Sequence, residues 1–221
     1  ENYFSGNRVL TKEEVMDYTK YYLKAPNRYP LLTQSWGRLF KSDIIKNNDI
    51  FFDPELRTFE DVAFNFMYLK YANELSFVNN PLYNLSIHND YLSATMKMVE
   101  NPDSLFGYRT ALHKVRDFLK TSRFNRSFET HIQQAYIRYT IIQLIRLCVQ
   151  IDYSNQKQIY TFIHELVHDV EFQNNLKFYF PYAEESKIIP FLMKHKLVSL
   201  TIIACKHRGT KRYSKKLKIV K

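Results

Sequence analysis

The 221-residue chain predicts an α+β, predominantly helical fold, and three observations carry that expectation. Glycine accounts for only 4 residues while aromatics reach 16%, a composition that suits packed helices better than glycine-turned β architectures. Beyond about residue 101 turn residues become scarce and apolar side chains recur with a period near 3.6. Before that point, short apolar runs are broken by Pro, Asn and Asp, as in a small mixed α/β layer. The expected organisation is a mixed layer over 1–100, a helical extension over 101–205 and a basic tail over 206–221.

The first helix is expected near 11–24. Thr11 and Glu14 have capping-box spacing, and Val15, Tyr18 and Tyr22 then fall on one face. Pro26 and Pro30 end it and lead through a loop to Trp36. Ile44 and Ile45 after Ser42 predict a helix of one to two turns. The run 50–52 predicts a short strand closed by Asp53-Pro54. Residues 62–72 read as a helix, with either Val62, Phe66 and Leu69 or Ala63, Phe66 and Met67 facing inward. Strands are expected at 75–78 and 82–87. Helices follow near 103–121, 127–150, 155–174 and 185–205, with Asp103, Ser127, Ser154 and Glu184 near their starts.

Composition also bounds what the chain does. Cys148 and Cys205 both sit in apolar helical patterns, so they read as core thiols in a reducing compartment rather than a disulfide framework. The longest apolar run, 197–205, is far short of the roughly 20 residues that cross a bilayer. The N-terminus has neither an initiator methionine nor a signal pattern, and it reads as the interior of a longer protein. Of the net charge of +10, residues 206–221 contribute +8 without a single acid. A basic segment after an amphipathic one suits an anionic surface, either lipid headgroups or nucleic acid; the plain alternative is a solvated terminus.

Residues 36–93 carry the specific chemistry. Glu60 and Asp61 are adjacent carboxylates at an expected helix start, set between aromatic segments. Thr58 and Asp61 have capping-box spacing, which gives the pair a purely structural explanation. The functional explanation is a general base at the rim of a cleft, held at a helix N-terminus whose dipole favours its charged form. Trp36 is either a core anchor or a flat face for a sugar ring.

The order Trp36-Gly-Arg-Leu-Phe-Lys, then 50–54, then Glu60-Asp61-Val-Ala-Phe-Asn, then Asn80-Pro-Leu-Tyr83, resembles the second half of bacterial family 2 glycosyltransferases of the GT-A type. The likeness covers about residues 8–95. It implies that Asp61 deprotonates the acceptor hydroxyl, that Glu60 assists, and that Trp36, Tyr83, His88 and Ser93 line the acceptor side. After the Pro-Leu-Tyr motif relatives carry arginines and Ser-x-Ser, where this chain has Ser86, His88 and Tyr91-Leu92-Ser93. The family's nucleotide-binding half, with its Asp-x-Asp element, has no counterpart in these residues. A divalent cation, Mg or Mn, is therefore expected with that missing half, and the chain alone is expected to be inactive. The implied reaction moves a sugar from a nucleotide-sugar donor to a glycan or lipid-linked acceptor in surface polysaccharide biosynthesis. The implied location is the cytoplasm, peripheral to the inner membrane face.

Two other classes remain open. His164-Glu165-Leu-Val-His168 is a literal H-E-x-x-H on an expected helix, the spacing of a zinc hydrolase with Glu165 as base. The longer metzincin pattern fails at Glu171 and Asn174, and a third ligand is available only from Glu184 or Glu185. The other class is a non-enzymatic module that docks on membrane or nucleic acid through 194–221. No basic-aromatic module pattern supports nucleic acid.

Overall fold

The computed structural model describes residues 4–25, 29–56, 58–84, 103–121 and 128–217. These residues are predominantly helical, with a two-stranded sheet among them. The chain forms two compact units, one from Glu1–Ser93 and Phe106–Ile132, the other from Ala94–Leu105 and Gln133–Lys221. Most of the helix that follows residue 100 groups with the first unit.

In the first unit, β1 (Arg8–Thr11) pairs antiparallel with β2 (Glu74–Phe77), in a register that sets Arg8 opposite Phe77 and Thr11 opposite Glu74. Thr11 ends the strand and caps α1 (Lys12–Lys24). Its hydroxyl accepts from the Glu14 N–H, and the Glu14 carboxylate accepts from the Thr11 N–H at 2.9 Å. That backbone bond, and Arg8 beside it, hold the Glu14 carboxyl below its usual range. α1 buries Val15, Tyr18 and Tyr22 as its spacing predicts.

A 3₁₀ turn (Pro30–Leu32) and α2 (Ser42–Asn47) lead to α3 (Glu60–Tyr71). Residues 50–52 do not form the expected strand. Among the described residues no strand pairs with them; the Ile50 N–H bonds to Ile45 O, and Phe52 lies flat on Phe64 at 4.2 Å between ring centroids. Ring stacking on α3 thus replaces a ladder as the use of this apolar run. α3 buries Val62, Ala63, Phe64, Asn65, Phe66 and Leu69, so it combines most of both predicted faces. Phe66 is fully enclosed, with Tyr22 of α1 on one side at 6.0 Å and Phe118 of α4 (Asp103–Leu119) on another at 5.6 Å. Strand β2 matches the one expected at 75–78. Residues 82–84 are not a strand, and 85–87 lie outside the described residues.

The second unit is helical in its described residues. α5 (Phe128–Val149) contributes all but its first turn, and α6 (Gln156–His168), α7 (Val170–Leu176), α8 (Ile188–Lys194) and α9 (Val198–Leu217) follow. Two helices expected to be continuous are each broken. Asp169 leaves helical geometry at φ −65°, ψ 128° and caps α7 by accepting from the Phe172 N–H at 2.7 Å. Lys196 takes φ 57° and closes α8 with paired bonds, Leu197 N–H to Leu192 O and Lys196 N–H to Met193 O, a Schellman ending normally built on glycine. The segment expected as a basic tail from 206 is instead a continuation of α9 as far as Leu217. Cys148 and Cys205 are both buried and unbridged, and the thiol of Cys205 is pushed up by its bond to Cys148 and by burial.

Candidate functional site

The site is built where the loop 33–38 meets the start of α3, all within the first unit. Asn65, 2% exposed, fixes the loop to the helix: its amide donates to Leu32 O at 3.1 Å and to Gln34 O at 3.0 Å. One turn earlier on α3, Asp61 accepts a hydrogen bond from the Ser35 hydroxyl at 2.6 Å. The i, i+4 spacing of Asp61 and Asn65 lets one helix edge hold both the loop backbone and its serine.

The expected capping box between Thr58 and Asp61 does not form. The residue at the cap is Phe59, in left-handed geometry at φ 64°, with no side-chain cap bond. Thr58 is buried, and its hydroxyl oxygen has no hydrogen-bond partner among the described residues. Gly107 of α4 lies so close that a Cβ there would sit 2.5 Å from Thr58 O. The backbone is therefore pinned just before α3, and the Asp61 side chain is left to turn toward the loop. Left-handed geometry at a phenylalanine stores backbone strain, on the order of 1–3 kcal/mol.

Two charged neighbours set the field. Burial lowers the Arg38 guanidinium to about 10, and the negative Asp61 opposes that drop. The Nε of Arg38 is buried without a partner among the described residues. Glu60 is pushed above its ordinary range, first by burial and further by Asp61, while its own backbone N–H works the other way. The pair thus holds a carboxyl that gains a proton more readily than a free glutamate, next to a carboxylate anchored by Ser35.

Trp36 and Tyr83 form the outer edge. Their rings stack at 5.1 Å with 21° between planes, and they are 41% and 49% exposed. Trp36 is therefore no core anchor. The turn that presents it requires Gly37, which sits at φ +68° with the Tyr83 Cβ 3.6 Å from where its own Cβ would be. His88 and Ser93, the remaining expected acceptor contacts, lie outside the described residues.

Ser35, Arg38 and Asn65 were not among the expected site residues. Asn65 carried a signal in the sequence, as a lone amide inside Val-Ala-Phe-Asn-Phe-Met. Arg38 stood inside the Trp36-Gly-Arg-Leu-Phe-Lys motif without a role of its own, and Ser35 carried no signal beyond its position beside Trp36.

The H-E-x-x-H residues lie in the second unit, on α6. His164, Glu165 and His168 are exposed, the two rings stack at 4.3 Å, and His168 Nδ1 is 2.7 Å from His164 O. Among the described residues no group of three or more His, Cys, Asp or Glu is placed to hold a metal ion. Of the two candidate third ligands, Glu185 is committed elsewhere: it pairs with Arg138 at 2.6 Å and accepts from Tyr179 and from the Tyr182 N–H, both at 2.9 Å. The zinc reading thus rests on spacing alone.

No family model, curated protein or solved structure matches the chain. Among the described residues, no helix is long and apolar enough to cross a membrane.

Proposed function

We propose that this chain is the acceptor side of a glycosyltransferase and that Asp61 is its general base. The observation that carries the reading is the orientation of Asp61, whose carboxylate faces the partly open loop 35–38 instead of capping its own helix. Ser35 occupies Oδ1, and Oδ2 has no hydrogen bond among the described residues. An acceptor hydroxyl would bond to Oδ2 and pass it a proton. The acceptor oxygen then forms a bond to the anomeric carbon from the face opposite the leaving group. The bond from that carbon to the nucleoside diphosphate breaks, the diphosphate keeps the electron pair, and the anomeric centre inverts.

Arg38 would place a positive charge beside the reacting carboxylate, since the negative Asp61 already favours its guanidinium form. Glu60, with its raised carboxyl, suits a hydrogen-bond donor to the acceptor better than a second base. Trp36 and Tyr83 offer exposed flat faces to the apolar side of a sugar ring. The donor, with the Mg or Mn ion that neutralises its diphosphate, would be held by a nucleotide-binding half outside these 221 residues. The surface-polysaccharide setting and the lipid-linked or glycan acceptor belong to the same proposal.

Trp36 is the chain's single tryptophan, so its emission reports on the acceptor edge directly. With an acceptor that the full-length enzyme glycosylates, the emission should change saturably, and Tyr83→Ala should weaken the apparent affinity. A titration with no saturable change, or one indifferent to Tyr83→Ala, would remove the acceptor from this surface.

A further inference from the structure

We infer that α8 and α9 of the second unit form a docking face for an anionic phospholipid bilayer. Residues 187–221 hold eleven of the chain's 32 Lys and Arg and none of its 22 Asp and Glu. The rest of the chain carries 21 against 22, a net charge of −1, so essentially all of the positive excess lies in this segment. Within it stand large apolar side chains that the core does not use. Ile188 and Phe191 on α8 are 65% and 58% exposed, and Leu200 and Ile203 on α9 are 50% and 63% exposed.

Their spacing separates them from the packed face. Over 198–211, the part of α9 whose side chains are described, the buried positions are Val198, Thr201, Cys205 and Gly209, a stripe of i, i+3, i+7 and i+11. Leu200 and Ile203 form a second stripe that continues through His207 to Lys211, all exposed, on the opposite side of the helix. α8 repeats the arrangement, with Ile189 and Met193 buried and Ile188, Phe191 and His195 exposed. Each helix therefore has one apolar face for the core and another for solvent, the second flanked by exposed Lys187, Lys194, Lys196 and Lys206.

The composition selects the occupant. A second copy of the chain would set two faces of the same strong positive charge against each other. A single-stranded nucleic acid is best held by exposed aromatic rings and Arg. Here the exposed apolar set is mainly aliphatic, and Lys outnumbers Arg nine to two over 187–221. Aliphatic side chains seated at the acyl boundary, with lysines reaching back to phosphate headgroups, satisfy both features at once. The helices would lie in the interface rather than span it. This surface is independent of Asp61, and its test does not depend on catalysis.

The full chain is floated with phosphatidylcholine vesicles, with and without about 30 mol% phosphatidylglycerol. Binding is expected only with phosphatidylglycerol, and is expected to fall at least about tenfold in Phe191→Glu/Ile203→Glu, in Lys206→Glu/Lys211→Glu, and in about 0.5 M salt. Leu200→Ser gives a milder check if the first variant melts below the parent. Equal binding to neutral vesicles, or none to anionic ones, overturns the proposal. So does binding lost on charge reversal but retained by the Phe191 and Ile203 variant, or tight capture of a single-stranded oligonucleotide without vesicle binding.

Discussion

Replacing Asn65 by leucine probes the contact on which the site geometry depends. The change keeps roughly the same size and removes two donated bonds, at 3.1 and 3.0 Å, that tie Leu32 O and Gln34 O to α3. At about 0.5–1.5 kcal/mol net each, their loss comes to about 1–3 kcal/mol. One term works the other way. The Asn65 Oδ1 is buried without a partner, and removing it returns on the order of 1 kcal/mol. The expected net loss is up to about 2 kcal/mol by urea unfolding, and the firmer readout is an altered Trp36 emission in the folded variant because the loop that bears Trp36 is released. Asn65→Asp tests the same contact by charge: it should be worse at neutral pH, where a carboxylate faces two carbonyl oxygens, and should recover as acid restores a donor. Unfolding within about 0.5 kcal/mol of the parent, together with an unchanged emission spectrum, would show that this amide does not hold the loop.

Gly209→Ala should destabilise the second unit despite alanine's better helix propensity. Its Cβ would lie 2.1 Å from Val149 Cγ2 and 3.0 Å from Ile145 O, and overpacking of about 1–3 kcal/mol outweighs a propensity gain of about 1 kcal/mol. Thermal melting checks it, and a rise in midpoint would contradict the close approach of α9 to α5. Glu60→Gln should stabilise at neutral pH. The folded carboxyl of Glu60 lies above its ordinary 4.5, so the parent loses stability as pH rises from that value through the raised one, and the variant does not. The two unfolding curves should converge below about pH 4, where Glu60 is protonated in both states. A gap that widens in acid would reverse the sign.

Much of the helical layout was legible because its signals are local. The capping box of α1 lies within four residues, and α4 and α5 run 17 and 22 residues without a proline to interrupt them. The failures share a different cause. β1 exists only because β2 lies beside it 60-odd residues later in the chain. The 50–52 run reads as a strand because short apolar runs look alike, whether a ladder or a ring such as Phe64 receives them. Asp169 and Lys196 break helices inside periodic sequence, one by capping and one by adopting a conformation usually left to glycine.

The same division applies to the site. Glu60, Asp61 and Trp36 were visible as residue types in an order that resembles a known family. The Ser35 bond, the loop clamp of Asn65 and the opposition of Arg38 to Asp61 arise from how 33–38 is seated on α3, and no pattern along the chain encodes that seating. The Thr58-to-Asp61 spacing even pointed toward a cap, and it took the left-handed Phe59 to free the carboxylate.

The most direct measurement is turnover by Asp61→Asn in the full-length protein, with donor affinity measured on the same sample. Loss of a positioned base predicts a fall in kcat of at least about a hundredfold with donor affinity unchanged, since asparagine keeps the shape and the Ser35 contact but takes no proton. Turnover within a few-fold of the parent would mean that another group removes the acceptor proton.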